Sequence, residues 1–526
     1  MLKKLYHIIP ALLLSFIVSI GVNAQVNISS KEFHKKREKA ENFYSFENYH
    51  LALPIYEELA EADSTNSEIN YKLGICINIV KSNKSEAIPY FEKAKKDFID
   101  AYYYLAILYH KQKDFDLTIN YLMYYKNYSG EKIFTKEETD YRIDQTNTAK
   151  EMMQSPENYM VTDIGTNINT AYPEYGPVVS TDETTLYFTS RRPESTGNLK
   201  DPYNEYFEDV YQSHLENGKW SQPTNIGSPV NTNSHDACVA ISRDGQELYI
   251  YRPADELISG HIYLSKNYQD KWLEPKIIEA NINSKTGHEP SASLSPDENT
   301  IYFSSNREGG YGGKDLYKVT KLPNGEWSPA MNLGPTINTI HDEDAPFMHP
   351  DGTTLYFSST GHRNMGGYDI FKSTINEDNT WTVPENMGYP LNTIADDIYF
   401  CVTADSKKGY FSSNRSDSHG SSDIFYIEMP DNYSNYKILK GNTISDDSLQ
   451  QVRALITLID EQTKKVQGIY RSTINGKYIL LIMPKKKYKL IVEADGYYSY
   501  TEDISIPEGC NEQECLIKNI RLEKTK

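Results

Sequence analysis

Acidic residues recur at matched places through the middle of this 526-residue chain. Glu174, Asp236, Glu289, Asp342 with Glu343, and Asp396 each come shortly after a strand-like stretch that closes on asparagine. Three histidines, His235, His288 and His341, stand beside them. Carboxylates and imidazoles gathered at one rim could hold a cation or a basic peptide. An arginine also follows each run of the "YFSS" type: Arg191 or Arg192, Arg252, Arg307, Arg363 and Arg415. Five acids against five arginines favour ion pairs repeated for structural reasons, with a ligand ring as the competing reading. The aspartates of "DVY", "DLY" and "DIF" (Asp209, Asp315, Asp369, Asp423) give way to His261 in one copy. That replacement argues for turn hydrogen bonding rather than a shared metal.

Other chemistry is sparse. "TLYFSSTGHRNMGGYDIFKS" (Thr354 to Ser373) carries a glycine pair, Gly366-Gly367, of the kind that cradles phosphate. Four sibling segments recast it as a turn between strands, where glycine supplies backbone freedom. The chain has no Gly-x-Ser-x-Gly elbow, His-Glu-x-x-His pair or Walker loop. We therefore expect no catalytic residue, no cofactor, no metal and no enzyme. Cys76, Cys238 and Cys401 sit in apolar runs and read as buried thiols. Cys510 and Cys515 flank "NEQE" and could close a small disulfide loop in an oxidising compartment.

Three segments would position these residues. From 36 to 154 the apolar period is helical, and "YHLALPIYEEL" recurs in altered form as "SEAIPYFEKAKK" and "DLTINYLMYYK". The pattern looks like a tetratricopeptide array, with Gly74 and Ala106 letting paired helices approach; a generic helical bundle is the alternative. From 158 to 430 the period is that of strands. "YFTS", "YIYR" and three copies of "YFSS" begin at Tyr187, Tyr249, Tyr302, Tyr356 and Tyr410, and all four tryptophans fall at one position of the repeat. Five such units predict a five-bladed β-propeller. The fifth unit lacks its last strand, and an orphan copy, "TDIGTNIN" (Thr162 to Asn169), precedes the first. The orphan should complete the fifth blade and remove the open edge. From 436 to 526 strong alternation predicts a small β-sandwich of about seven strands.

Composition narrows the setting. A net charge of -19 disfavours nucleic acid and anionic lipid as partners. Lys3 and Lys4, the apolar run Ile8 to Val22 and Val22-Asn23-Ala24 read as a signal peptide over 1–24. The protein is expected to be exported, with no transmembrane span after cleavage.

Two resemblances follow. "SPDENTIYFSSNREGGYGGKDLY" (Ser295 to Tyr317) resembles the TolB-like propeller repeat, and "NGKYIL" with "ADGYYSY" resembles the carboxypeptidase regulatory-like domain. Helical repeats, propeller and regulatory-like sandwich in this order are similar to a Bacteroidota cell-envelope family that includes a component of the type IX secretion and gliding machinery. Members of that kind end in an OmpA-like domain, and many start on a lipid-modified cysteine. This sequence ends after the sandwich and offers Gln25, so peptidoglycan binding is not expected. The resemblance implies a non-enzymatic scaffold for outer-membrane or periplasmic protein partners. The alternative is a periplasmic or surface receptor that binds glycan or peptide at the propeller mouth.

Overall fold

The structure, a computed structural model, describes residues 29–201, 204–254, 259–269, 271–278, 280–285, 287–403, 406–429, 436–473, 475–507 and 516–525. The expected signal peptide and the expected Cys510–Cys515 bridge lie outside the described residues. Two compact bodies divide between Asp140 and Tyr141.

The first body is helical: α1 (Ser30–Ser45), α2 (Tyr49–Ala62), α3 (Ser67–Val80), α4 (Ile88–Ala94), α5 (Asp100–Lys111), α6 (Phe115–Asn127) and the start of α7 (Lys136–Gln154). Asn66 and Asp114 cap α3 and α6 by accepting a backbone N–H in the first turn. Helices α1 to α6 pack in sequence around Leu59, Leu73, Phe91 and Leu105. Gly74 is required by that packing, because a Cβ there would lie 2.8 Å from the Phe91 ring.

The second body is β-rich. Sheet 1 holds Glu174–Val179, Thr185–Ser190 and Asp209–Glu216, edged by Lys219–Trp220 and Thr224–Asn225. Sheet 2 holds Ala237–Ile241, Glu247–Pro253 and Gly260–Tyr268, edged by Lys271–Trp272 and Lys276–Ile277. Sheet 3 runs Ala292–Leu294, Thr300–Ser305, Asp315–Thr320, Met331–Asn332. Sheet 4 runs Glu343–Met348, Thr354–Ser359, Asp369–Thr374, Glu385–Asn386. Sheet 5 runs Asp397–Val402, Lys408–Ser413, Asp423–Glu428, and its outer strand is Val161–Asp163, from the other end of the β-rich region. All pairings in these sheets are antiparallel, and each first strand contacts the next sheet's first strand; sheet 5 contacts sheet 1 in the same way.

The repeated residues explain themselves here. The asparagine that ends each repeat completes a strand with its side chain. Asn231 accepts from Val210 N and donates to Val210 O, both at 2.9 Å; Asn338 and Asn392 do the same for Leu316 and Ile370. In sheet 5 the part falls to Asn169, bonded to Ile424 N and O at 2.9 Å. The tryptophans join neighbours. Trp272 meets Tyr187 of sheet 1, Trp381 meets Tyr302 of sheet 3, and Trp220 of sheet 1 meets Tyr410 of sheet 5. Trp327 packs in one cluster with Tyr249 of sheet 2.

The remaining strands form two smaller sheets. Lys437–Ser445 pairs antiparallel with Lys477–Ile482 and parallel with Ile520–Leu522. The other sheet runs Val466–Arg471, Leu455–Asp460, Lys487–Glu493, Tyr500–Ser505. They share a core of Ile456, Leu458, Leu480, Leu490 and Ile520. Among the described residues no helix is long and apolar enough to cross a membrane.

Candidate functional site

The acids of the expected ring divide between two rows. The first row pins each sheet from within. Glu174 is fully buried, and its Oε1 accepts from Thr170 Oγ1 (2.8 Å), Ser190 Oγ (2.9 Å) and the Arg192 guanidinium (2.9 Å). Arg192 also donates to Ile168 O. Asp236 with Arg252, Glu289 with Arg307 and Asp397 with Arg415 repeat the arrangement. Burial pushes the carboxyls of Glu174, Asp236 and Asp397 up, with the neighbouring arginine opposing it. The fifth pin is therefore Asp397, not the expected Asp396. Asp397 occupies the inward register position that pairs with Ser413, and Asp396 is one residue earlier.

Repeat 4 breaks the pattern. Gly361 stands where Arg307 stands in repeat 3, two residues after the last serine of the second strand. The next residue, His362, has a left-handed φ of 47° and sets its Nε2 2.7 Å from Ile337 O. The Arg307 guanidinium makes the matching bond to Ile282 O. Arg363, expected as the fourth pairing arginine, points away and bonds Glu151 of α7. Glu343 is left buried with three donors, Thr339 N, Thr339 Oγ1 and Ser359 Oγ, all at 2.8 Å, and has no ion pair among the described residues. Burial pushes its carboxyl up to about 7.

The same loop seats α7. Gln145 donates to Asn364 Oδ1 (2.8 Å) and Gly366 O (2.5 Å), and the Tyr141 hydroxyl donates to Thr360 O. His341 stacks on Tyr141 with centroids 4.4 Å apart. Gly366 and Gly367 are needed for close approach: a Cβ would lie 2.2 Å from Ile394 O and 2.1 Å from Asp396 Oδ1. Backbone freedom, the expected reason, is not what either position uses.

The second row lies at one end of the first strands. The residues just before the pins are Pro173, His235, His288, Asp342 and Asp396. They face the residues just before the third strands' buried aspartate (or its histidine replacement): Ser422, Glu208, Gly260, Lys314 and Tyr368. Backbone bonds cross every seam, from Asp236 N to Glu208 O, Glu289 N to Gly260 O, Glu343 N to Lys314 O, Asp397 N to Tyr368 O and Glu174 N to Ser422 O. Asp342 accepts from Lys314 N at 2.9 Å and Asp396 from Tyr368 N at 3.0 Å. The expected residues His235, His288, Asp342 and Asp396 thus latch neighbouring sheets. Their side chains do not converge on a common point.

What this end carries in addition is a half-buried polar collar. Lys314 Nζ is bridged to Asp344, which also accepts from Ser291 Oγ (2.5 Å). The Tyr368 hydroxyl donates to Asp342 at 3.2 Å, and Lys314 lies 5.2 Å from the Tyr368 ring centroid. Across the collar the Tyr175 hydroxyl donates to Glu208, and His235 Nδ1 lies 3.0 Å from Glu208 Oε2. Arg191 bridges Asp201 and Glu205, each at 2.6 Å. Tyr399 stands between the halves, its ring 6.2 Å from Tyr175 at 26°. Its backbone is left-handed, φ 59°, where sheet 1 has Gly176. Sheet 4 has Ala345 there, φ 50°, and all three first strands bulge at this point, so the conformation belongs to the bulge and sheet 5 uses it to present a phenol. Burial raises the Tyr399 phenol, with Asp344 adding to the shift. Burial also opposes ionisation of Glu208 and Asp344, yet His235 and Lys314 hold both carboxyls below the usual range.

Beyond Tyr399 the first strands enclose a channel of about 150 Å³, lined by Val178, Ala240, Leu294, Phe347 and Phe400. Leu481 of the small sheets lies at its far end, where Arg243 sits 5.2 Å from the Tyr470 ring and Arg471 lies 3.5 Å from Glu298. A separate group, Asp163, His419 and Asp423, has ligand atoms close enough for a metal ion. None of the expected ring residues belongs to it. The collar escaped the sequence reading because its residues do not repeat. Comparing Glu208, Gly260, Lys314, Tyr368 and Ser422 as one column would have exposed it.

No protein-family model matches the chain, and no curated protein does. Solved structures do. An α-L-arabinofuranosidase from Lactobacillus brevis is 11% identical with a TM-score of 0.33, over 49% of this chain and 90% of that one. An endo-arabinase from Bacteroides thetaiotaomicron is 12% identical with a TM-score of 0.33, over 52% and 98%. A Penicillium chrysogenum α-L-arabinanase, solved with arabinobiose, is 11% identical with a TM-score of 0.32, over 62% and 99%. These are enzymes, and the expectation that this chain is not an enzyme is withdrawn on that finding. Likeness at this level transfers no substrate and no residue.

Proposed function

We propose that this chain is an exported cell-envelope binding protein whose five sheets are the blades of a closed propeller, with the collar as its ligand mouth. The observation that carries the reading is the asymmetry of the collar. Acid–arginine pins and tryptophans each recur in four of the five repeats, and strand-completing asparagines recur throughout, as architecture must. Glu208, Lys314, Tyr368, Tyr175 and Tyr399 do not recur, yet they gather at one place. Side chains that differ where symmetry would allow sameness are what a single ligand requires. The first body would be tetratricopeptide-like, and the small sheets regulatory-like.

A photo-crosslinking residue at position 368, in the exported full-length chain, tests the mouth. A control goes at Val383, which is 83% exposed. Adducts formed at 368 and absent at 383 are expected; no adduct at 368, or equal adducts at both, overturns the reading.

A second reading, a scaffold for outer-membrane or periplasmic proteins in secretion or gliding, is favoured by the helical body. Tyr124 is 54% exposed, its ring centroid 4.4 Å from that of Tyr102, and Lys95 lies over Tyr102 and Tyr121. Aromatic and cationic side chains grouped in this way suit a peptide partner. Adducts at 124 and none at 368 would select it.

A further inference from the structure

We infer that the collar takes a neutral saccharide. The inference rests on the collar being a ligand mouth and goes on to its chemistry.

Lys314 is bridged to Asp344, Glu208 lies against His235, and Arg191 is held by Asp201 and Glu205. An anionic ligand group would have to draw Lys314 or Arg191 away from its carboxylate and strand that carboxylate in a half-buried site, and a cation drawn to Glu208 or Asp344 would have to displace His235 or Lys314. Breaking such a pair is costly, because the remaining charge keeps its desolvation penalty. Neutral hydroxyls face no such barrier. A carboxylate offers about four lone-pair sites. Asp342 receives Lys314 N and the Tyr368 hydroxyl, and Glu208 receives the Tyr175 hydroxyl beside His235. Hydroxyl donors can therefore add to both carboxylates while the ion pairs stay intact.

Aromatic faces supply the second half. Tyr175 and Tyr399 present nearly parallel rings, and Tyr368 stands across from them beside Lys314. Flat apolar rings with polar tips match the alternation of C–H faces and hydroxyl edges on a pyranose. The space beyond Tyr399 is walled mostly by apolar side chains such as Val178, Leu294 and Phe347, so a hydroxyl-rich ligand gains more at the rim, where the carboxylates and phenols lie.

Calorimetric titration of the full-length chain provides the test. The neutral probes are cellotetraose, xylotetraose, mannotetraose, maltotetraose and chitotetraose. The charged probes are tetragalacturonate, tetralysine and tetra-aspartate. At least one neutral probe should bind, with affinity changing less than about twofold between low and high salt. Tyr399→Ala should weaken that binding at least tenfold, and Tyr368→Phe should weaken it severalfold. Thermal melts establish that both variants are folded, and Tyr368→Phe carries the test alone if Tyr399→Ala is not. Binding of a charged probe, with loss in the collar variants, overturns the neutral-saccharide inference and leaves the mouth standing. Binding of no probe overturns the inference as well, and the crosslink at 368 then decides the mouth separately. Neutral binding unaffected by either variant overturns both.

Discussion

Repeats 3 and 4 share the lengths of their second and third strands, the length of the loop between them and a buried glutamate, yet they hold that glutamate differently. Glu289 has a guanidinium beside it; Glu343 has only neutral donors, with His362 filling the arginine's other bond. The freed Arg363 and its loop instead receive α7. One loop keeps its sheet together by charge. The other gives up that charge and gains a docking surface for a helix. Architecture and helix docking thus compete for the same nine residues of loop.

The largest effect should come from the pins. Glu289→Ala strands Arg307 in a mostly buried site and should cost roughly 3–5 kcal/mol. Glu343→Ala removes hydrogen bonds alone and should cost roughly 1–3 kcal/mol. Urea unfolding of the two variants measures the gap, and equal losses would break the comparison.

Next comes pH. The folded carboxyl of Glu343 titrates at about 7, against roughly 4.3 in an unfolded chain. Between those values the folded state holds the extra proton, so stability falls as pH rises through the window, by at most about 1.4 kcal/mol per pH unit. Glu343→Gln should flatten this slope between about pH 4.5 and 7 relative to wild type. An unchanged slope in melts across that range would show that Glu343 is not the group responsible.

The smallest effects belong to the helix seat. Gln145→Ala removes both hydrogen bonds to the loop, one of them buried, together with those to Tyr141 and Arg142 within the helix, and should cost roughly 1–2 kcal/mol. Arg363→Ala deletes an ion pair more than half exposed on both sides and should stay within about 0.5 kcal/mol. Thermal melts rank the two, and a reversed order would mean that charge rather than fit seats α7.

The contrast also shows what a sequence can express. The strand-and-turn period of the five repeats is written locally, so helices, strands and the completing role of the orphan segment could be read directly. "IADDIY" (Ile394 to Tyr399) offers two adjacent acids, and only the pleat decides that Asp397 turns inward and Asp396 toward the neighbouring sheet. Arg363 looked like its siblings, but Gly361 had already emptied the pin position. The collar was illegible because Tyr175, Lys314 and Tyr399 meet only after the sheets come together. Its one trace in the sequence is a column of mismatched residues beside columns that agree.

The strand Val161–Asp163 belongs to the sheet that ends near residue 428. Val161 pairs with Ile427, and Asn169 bonds Ile424 across 255 residues of sequence. Sheet 5 therefore cannot be completed until the chain has emerged past residue 427. Loop closure over such a span is slow compared with local hairpins. The last seam to form sets the pace for the whole β body, and until it does, a row of backbone donors and acceptors stands open to any extended segment nearby. A chain built this way has reason to be accompanied while it folds.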